Sequence, residues 1–331
     1  MWDKEKASLP YAKRNLSLQP KRATTKTMSK FINPFTDYGF KLIFGREVSK
    51  ILLIEFLNDL LEGERVITDL TFLNNEQLPD YPEGRGIIYD VYCTTDTGEK
   101  IIVEMQNRMQ SNFKERSIFY LSRAIVNQGR TGHDWKFEIK AVYGVFLMNF
   151  IMDKNIKLRT DVILADKETG ELFSEKFRQI FIALPLFKKS EEECETNFER
   201  WIYILNNMET LKRLPFKARK AVFEKLEEIA DVASMSPKER ELYDNSVKVY
   251  RDYLVTMDAA EKEGIKKGMK EGMKEGLKKG LEEGLEEGLK KGREEALNIF
   301  QTAIDMKKQG IDNQLIAEKT GLPLSLIESL K

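Results

Sequence analysis

Two hydrophobic periods alternate along this chain. Residues 49–61 (SKILLIEFLNDLL) place apolar side chains at helical spacing, with Gly63 just beyond, and predict a helix. Residues 65–73 read as a short strand. Residues 86–94 and 100–108 alternate with period two around Asp96-Thr97-Gly98-Glu99 and predict a hairpin. Residues 112–128 form a second helix, with Asn112 as N-cap and Gly129 as its stop. Residues 136–149 are strand-like, and 171–184 read as a strand or two ending at Pro185. From Phe31 to about Leu186 the pattern is that of one α/β domain. Residues 194–258 are helical, over 196–211, 217–234 and 237–257, punctuated by Pro215 and Pro237. Phe198, Trp201, Ile202 and Leu205 repeat at i, i+3, i+4 and i+7, the stripe of a helix packed on a core.

The pattern changes at residue 259. Glycine recurs every fourth residue from Gly264 to Gly292, and a large apolar residue follows most of them: Ile265, Met269, Met273, Leu277, Leu281, Leu285 and Leu289. Four residues advance a helix by about 400°, so the stripe drifts about 40° per repeat and is no heptad seam. Each glycine costs a helix about 1 kcal/mol against alanine, which makes the tract marginal alone. It reads either as a labile helical spacer or as a strap for a homo-oligomer through residues 261–295, where small residues permit close helix approach. Residues 297–309, 313–320 and 324–330 predict a small helical hairpin, with Asp312 as a cap and Gly310 and Gly321 as stops. Such a hairpin resembles a helix-turn-helix. The expected division is a disordered basic tail at 1–27, an α/β domain at 28–190, a helical region at 191–258, the repeat at 259–295 and the hairpin at 296–331.

Composition narrows the chemistry. The 331 residues carry 54 basic and 54 acidic side chains, one histidine and two cysteines. A thiolate zinc site, a multi-histidine site and a disulfide framework are all excluded. Carboxylates and amides remain, so a metal site here is built from oxygen and suits Mg²⁺ or Mn²⁺. No run reaches the ~18 apolar residues of a membrane span, and no apolar signal segment opens the chain. With free cysteines, this predicts a cytoplasmic protein with no membrane partner. The first 27 residues hold seven Lys/Arg against two acids, so the rest of this neutral chain carries a deficit of five positives. Contact with a polyanion must then come from a local patch or from the tail. His133, with no base partner nearby, reads as structural.

The strongest chemical feature is the hairpin GIIYDVYCTTDTGEKIIVEMQNR. Alternation puts Ile87, Tyr89, Val91 and Cys93 on one face, matched by Ile101, Val103 and Met105. Asp90, Glu104 and Gln106 then lie on the opposite face, where Ile88 and Ile102 argue for partial burial. The two apolar sets share a core face only if paired residue numbers sum to an even value. This predicts a three-residue loop with Gly98 in the left-handed region, and Asp90 across from Glu104 or Gln106. Two converging carboxylates call for a counter-ion, and Mg²⁺ takes such oxygen ligands while keeping its waters.

Asp90 followed by Glu104-Met105-Gln106 resembles the PD-(D/E)XK nuclease site, with glutamine in place of the usual lysine. Asn33-Pro-Phe-Thr-Asp37-Tyr-Gly-Phe40-Lys41-Leu-Ile-Phe44-Gly45 and Phe113-Lys-Glu-Arg116-Ser-Ile-Phe-Tyr120-Leu resemble the Rpn family of recombination-promoting nucleases, often labelled transposases. The glycine-rich tail is also common in that family. The resemblance covers about residues 31–300. It implies a restriction-endonuclease-like α/β core, a mixed central sheet flanked by helices, followed by an all-α C-terminal region. It also implies a metal-dependent DNA endonuclease acting in recombination or on mobile DNA. Asp90 and Glu104 would bind the metal, with the Met105 carbonyl as a further ligand, and Gln106 would take the lysine position. An acid near the first helix joins such sites: Asp37 fits first and Glu55 second. Lys41, Arg116 and Tyr120 are candidate DNA contacts. The competing expectation is a catalytically weak nuclease fold that binds DNA and assembles through its repeat, favoured by the missing lysine charge. A DDE transposase needs a wider acid spacing than this hairpin offers.

Overall fold

Alternating β-branched and aromatic residues form the strands of a central sheet, and amphipathic segments cover both of its faces. The computed structural model describes residues 29–78, 86–130, 132, 135–216 and 220–330. The basic tail at 1–27, His133 and the start of the helix expected at 217 lie outside the described residues. The strands are β1 (Leu70–Phe72), β2 (Glu76–Gln77), β3 (Ile87–Ile88), β4 (Val91–Thr95), β5 (Lys100–Gln106), β6 (Val142–Met148), β7 (Arg159–Ala165) and β8 (Leu172–Ala183). The helices are α1 (Asp37–Phe44), α2 (Lys50–Leu60), α3 (Phe113–Val126), α4 (Asn197–Asn207), α5 (Val222–Ala230), α6 (Pro237–Lys308), α7 (Asn313–Thr320) and α8 (Leu324–Ser329).

Six strands make one mixed sheet in the order β1-β4-β5-β6-β8-β7. Strands β5, β6 and β8 run parallel, while β1 and β4 on one side and β7 on the other are antiparallel to their neighbours. The period of two separates two cores. Val91, Cys93, Ile101, Val103, Met105, Val145, Leu147, Ile180 and Ile182 pack with α1, α2, α4, α5 and the Tyr243–Val247 turn of α6. Tyr92, Ile102, Phe146, Met148 and Phe181 pack with Phe113, Leu121 and Ala124 of α3. This is the mixed sheet flanked by helices that the sequence resemblance implies. The helical segments at 197–251 share the larger core with the sheet. Thr196 and Glu199 start α4 with a reciprocal capping box.

The hairpin has the expected loop. Val91 pairs with Val103, Cys93 with Ile101 and Thr94 with Lys100, every sum being 194. The Thr95 amide donates to the Glu99 carbonyl (2.9 Å), closing a three-residue loop in which Gly98 has φ +93°. Within the loop, that left-handed position falls on the residue that enters it without penalty.

Several expectations are corrected. The strand predicted over 86–94 is broken at Tyr89-Asp90 into β3 and β4, so Ile87 and Tyr89 join the α3-side core while Val91 and Cys93 face the other. Ile88 is 66% exposed and buries nothing beside Ile102. Asn112 makes no side-chain cap bond on α3, its backbone lying outside the extended region that caps adopt. The helix expected from 196 starts one residue later, with Thr196 as its cap. Helix α1 and the edge strand β7 had no prediction. The helices expected at 237–257 and 297–309 are parts of one continuous helix that includes the glycine repeat.

Helix α1 is set by a turn in which glycine is obligatory. Thr36 caps it, its hydroxyl accepting from the Gly39 amide (3.0 Å) and donating to the Asn33 carbonyl (2.8 Å). A Cβ at Gly39 would stand 2.2 Å from the Asn33 carbonyl oxygen. Gly39→Ala is therefore expected to destabilise the protein by about 2 kcal/mol or more, since backbone must shift. A melting temperature within a degree of the wild type would show that the turn relaxes freely.

The described residues divide into two compact units between Arg251 and Asp252. In the second, Asp312 caps α7 by accepting from the Gln314 amide (3.0 Å), Gly321 ends it in the left-handed region, and Ala303, Ile316 and Ile327 form a small core. Among the described residues no helix is long and apolar enough to cross a membrane.

Candidate active site

Asp90 sits where β4 leaves the ladder. Odd-numbered residues of β5 exchange main-chain bonds with β4, so the next pair would be Met105 with Tyr89. Instead the Asp90 carboxylate takes the Met105 amide (Oδ2, 2.9 Å), and the Tyr89 amide donates to the Asn75 carbonyl (3.0 Å). Asn75 returns a bond to the Asp90 carbonyl (2.9 Å). The Tyr89 amide, the donor that a continued ladder would give the Met105 carbonyl, is thereby turned to Asn75.

Glu104 projects from β5 toward α3 and is 3% exposed. Its Oε1 accepts from the Asp90 amide (3.1 Å) and its Oε2 from the Gln106 side-chain amide (3.0 Å). The structure thus brings Asp90, Glu104 and Gln106 into one bonded cluster. Burial, then the Asp90 charge, pushes Glu104 up to about 8. Burial also raises Asp90, partly countered by the Met105 amide and by Lys41.

The Gln106 side-chain oxygen accepts from Arg116, on the first turns of α3. The same guanidinium donates to Gln110 (2.7 Å) and lies over the rings of Phe113 and Tyr120, at 5.6 and 5.7 Å. Its charge lowers both acids. Tyr120 packs edge-on against Tyr89, and its carbonyl accepts from the Tyr89 hydroxyl (3.0 Å). A positive charge therefore does stand beside the acids, delivered by a helix where the sequence motif has a glutamine.

Asp37 and Lys41 form an i, i+4 ion pair on α1 (2.6 Å), and both act electrostatically on Asp90. Asn107, the residue after β5, donates to the Phe35 carbonyl (2.6 Å) and so ties the start of α1 to the end of the strand that carries Glu104. Asn107, like Asn75, has a part that sequence reasoning missed; its position directly after the Glu-x-Gln segment was the available signal. Glu55 is held elsewhere: Lys220 binds it at 2.7 Å and Asp59 at 2.6 Å, and Trp201 donates to Asp59 (2.9 Å).

A divalent ion needs a shell of several oxygen donors. Among the described residues no group of three or more His, Cys, Asp or Glu could hold one. A buried carboxylate and a half-buried one that repel each other, on either side of the Met105 main chain, are a partial oxygen shell. That shell fits an ion that keeps several waters, as Mg²⁺ does.

A mixed sheet with an acid at a strand break and Glu-x-Gln on the adjoining strand defines the PD-(D/E)XK class of nuclease fold. The chain belongs to the PD-(D/E)XK nuclease family transposases, whose family model matches residues 34–260. No curated protein and no solved structure matches the chain. Family membership supports a nuclease role in mobile-element biology.

Proposed function

We propose that the protein is a metal-dependent DNA endonuclease that hydrolyses phosphodiester bonds during recombination or the movement of mobile DNA. The observation that carries this reading is the bonded chain Asp90–Glu104–Gln106–Arg116, in which buried Glu104 stands against half-buried Asp90. Asp90, Glu104 and the Met105 carbonyl would hold Mg²⁺ or Mn²⁺. Such an ion lowers the pKa of a bound water and offsets charge developing on the phosphate. Gln106, fixed between Arg116 and Glu104, orients the attacking water through its amide. Arg116 supplies the positive charge that the usual lysine would bring, and faces the scissile phosphate from α3. Asp37 closes the site from the start of α1, with Lys41 and Tyr120 as further contacts to the DNA.

Plasmid nicking in Mg²⁺ or Mn²⁺ by the purified protein tests this reading, with Glu104→Ala as control. Nicking that survives the substitution points to a contaminant or another site. Absence of nicking in either metal leaves a nuclease fold that only binds DNA.

Arg116 has its own test. Arg116→Gln is expected to lower the cleavage rate about 10- to 100-fold by removing one transition-state donor. Adding Gln106→Lys to it restores charge at the motif position and is expected to recover part of that loss. If the double variant cleaves no better than Arg116→Gln, the charge-relocation idea fails.

A further inference from the structure

We propose that α6 crosses the α6 of a second copy of this chain, the two helices running antiparallel and meeting at Gly280 and Leu281. Ile265, Met269, Met273, Leu277, Leu281, Leu285 and Leu289 are 57–79% exposed, a continuous apolar ridge without cover among the described residues. Beside it runs the glycine row, where an added Cβ at any position from Gly264 to Gly292 would meet nothing within 4 Å. Ion pairs within the helix, such as Lys267–Glu263 (2.8 Å), Lys279–Glu275 (2.9 Å) and Lys291–Glu287 (2.8 Å), are exposed and give it weak support. Each glycine costs the helix more than such a pair returns, so burial of the ridge where two copies cross is the missing term.

Ridge geometry selects the packing. Rows at i+4 incline about 26° to a helix axis, and two such rows interdigitate at a crossing of about 50°. Glycines flanking the ridge let the backbones approach closely there.

Charge order selects the direction and register. The repeat carries Lys278-Lys279 just before its centre and Glu282-Glu283 just after it, with Lys266-Lys267, Glu286-Glu287, Lys290-Lys291 and Glu294-Glu295 farther out. Parallel pairing in register sets every block against itself. Antiparallel crossing at Gly280-Leu281 sets Lys278-Lys279 against Glu282-Glu283 of the second copy, the blocks nearest the contact. Moving one copy by one repeat in either direction opposes Lys278-Lys279, or Glu282-Glu283, to itself. Like charges in contact disfavour those alternatives.

The test uses the full chain. Sedimentation is expected to give a dimer, twice 38.5 kDa, that weakens with salt. Reversing one block (Lys278→Glu with Lys279→Glu) is expected to weaken association about tenfold or more, and adding Glu282→Lys with Glu283→Lys to restore it. Circular dichroism checks that the helix persists in each variant. Spin labels on single cysteines then read direction, since native Cys93 and Cys194 are buried. Labels at Lys267→Cys are expected roughly 40 Å apart and at Glu283→Cys within about 20 Å. A monomer at all concentrations, a reversed variant that associates normally or is not rescued, or short distances at both positions overturns the proposal. None of these residues belongs to the nuclease site, so the two readings stand or fall separately.

Discussion

Asp90→Asn is expected to lower metal-dependent plasmid nicking by about 100-fold or more while leaving the fold intact. The asparagine oxygen can still accept from the Met105 amide, the bond that holds the strand break at 2.9 Å. What disappears is the negative charge. An anionic oxygen ligand is worth several kcal/mol to a hard divalent ion, and each 1.4 kcal/mol off transition-state stabilisation is a factor of ten. The melting temperature separates this from unfolding: Asp90→Asn should melt at or above the wild-type value, because the half-buried negative charge beside Glu104 is gone. Wild-type nicking rates in the variant would remove Asp90 from the mechanism.

The second large effect is on stability against pH. Folded Glu104 holds its proton up to about pH 8, whereas its ordinary value is 4.5. Between those values the folded state binds more protons than the unfolded chain. The Glu104 contribution to stability is therefore fully present below about pH 4.5 and is lost as pH rises through 8. Because the side chain is buried, the loss is on the order of a few kcal/mol. Glu104→Gln removes the titration, so it should gain on the wild type steadily from pH 5 to pH 8.5 in metal-free buffer. Divalent metal should reverse the order, since a bound cation favours the ionised pair. Mg²⁺ or Mn²⁺ should raise the wild-type melting temperature more at pH 8 than at pH 6, and EDTA should undo it. Parallel pH curves for the two proteins, with and without metal, would mean that Glu104 is not buried as a repelling acid.

Chemistry that lies within one hairpin was legible from residue order. Parity of the apolar positions forced an even pairing sum and a glycine-containing three-residue loop, and so put Asp90 beside Glu104. The break at Tyr89-Asp90 was not legible, because it exists only where Asn75 captures the Tyr89 amide from another strand. Residue order ranks Asp37 ahead of Glu55 without the reason, which lies far along the chain in Lys220, the partner that holds Glu55. The gap left by the absent lysine closed only when the link between β5 and β6 laid α3 across Glu104 and brought Arg116 to Gln106.

By itself, the sequence determined the elements whose period is local: the hairpin, the long amphipathic helices, the cap at Asp312, and the four-residue charge and glycine repeat of α6. Periodicity and turn chemistry act over a few residues and need no partner. Only the tertiary structure decided which face Tyr89 joins, which acid stays near Asp90 and where the positive charge comes from. Each of these depends on a hydrogen bond or ion pair between distant segments, and such contacts form only once packing has fixed the strands and helices against one another.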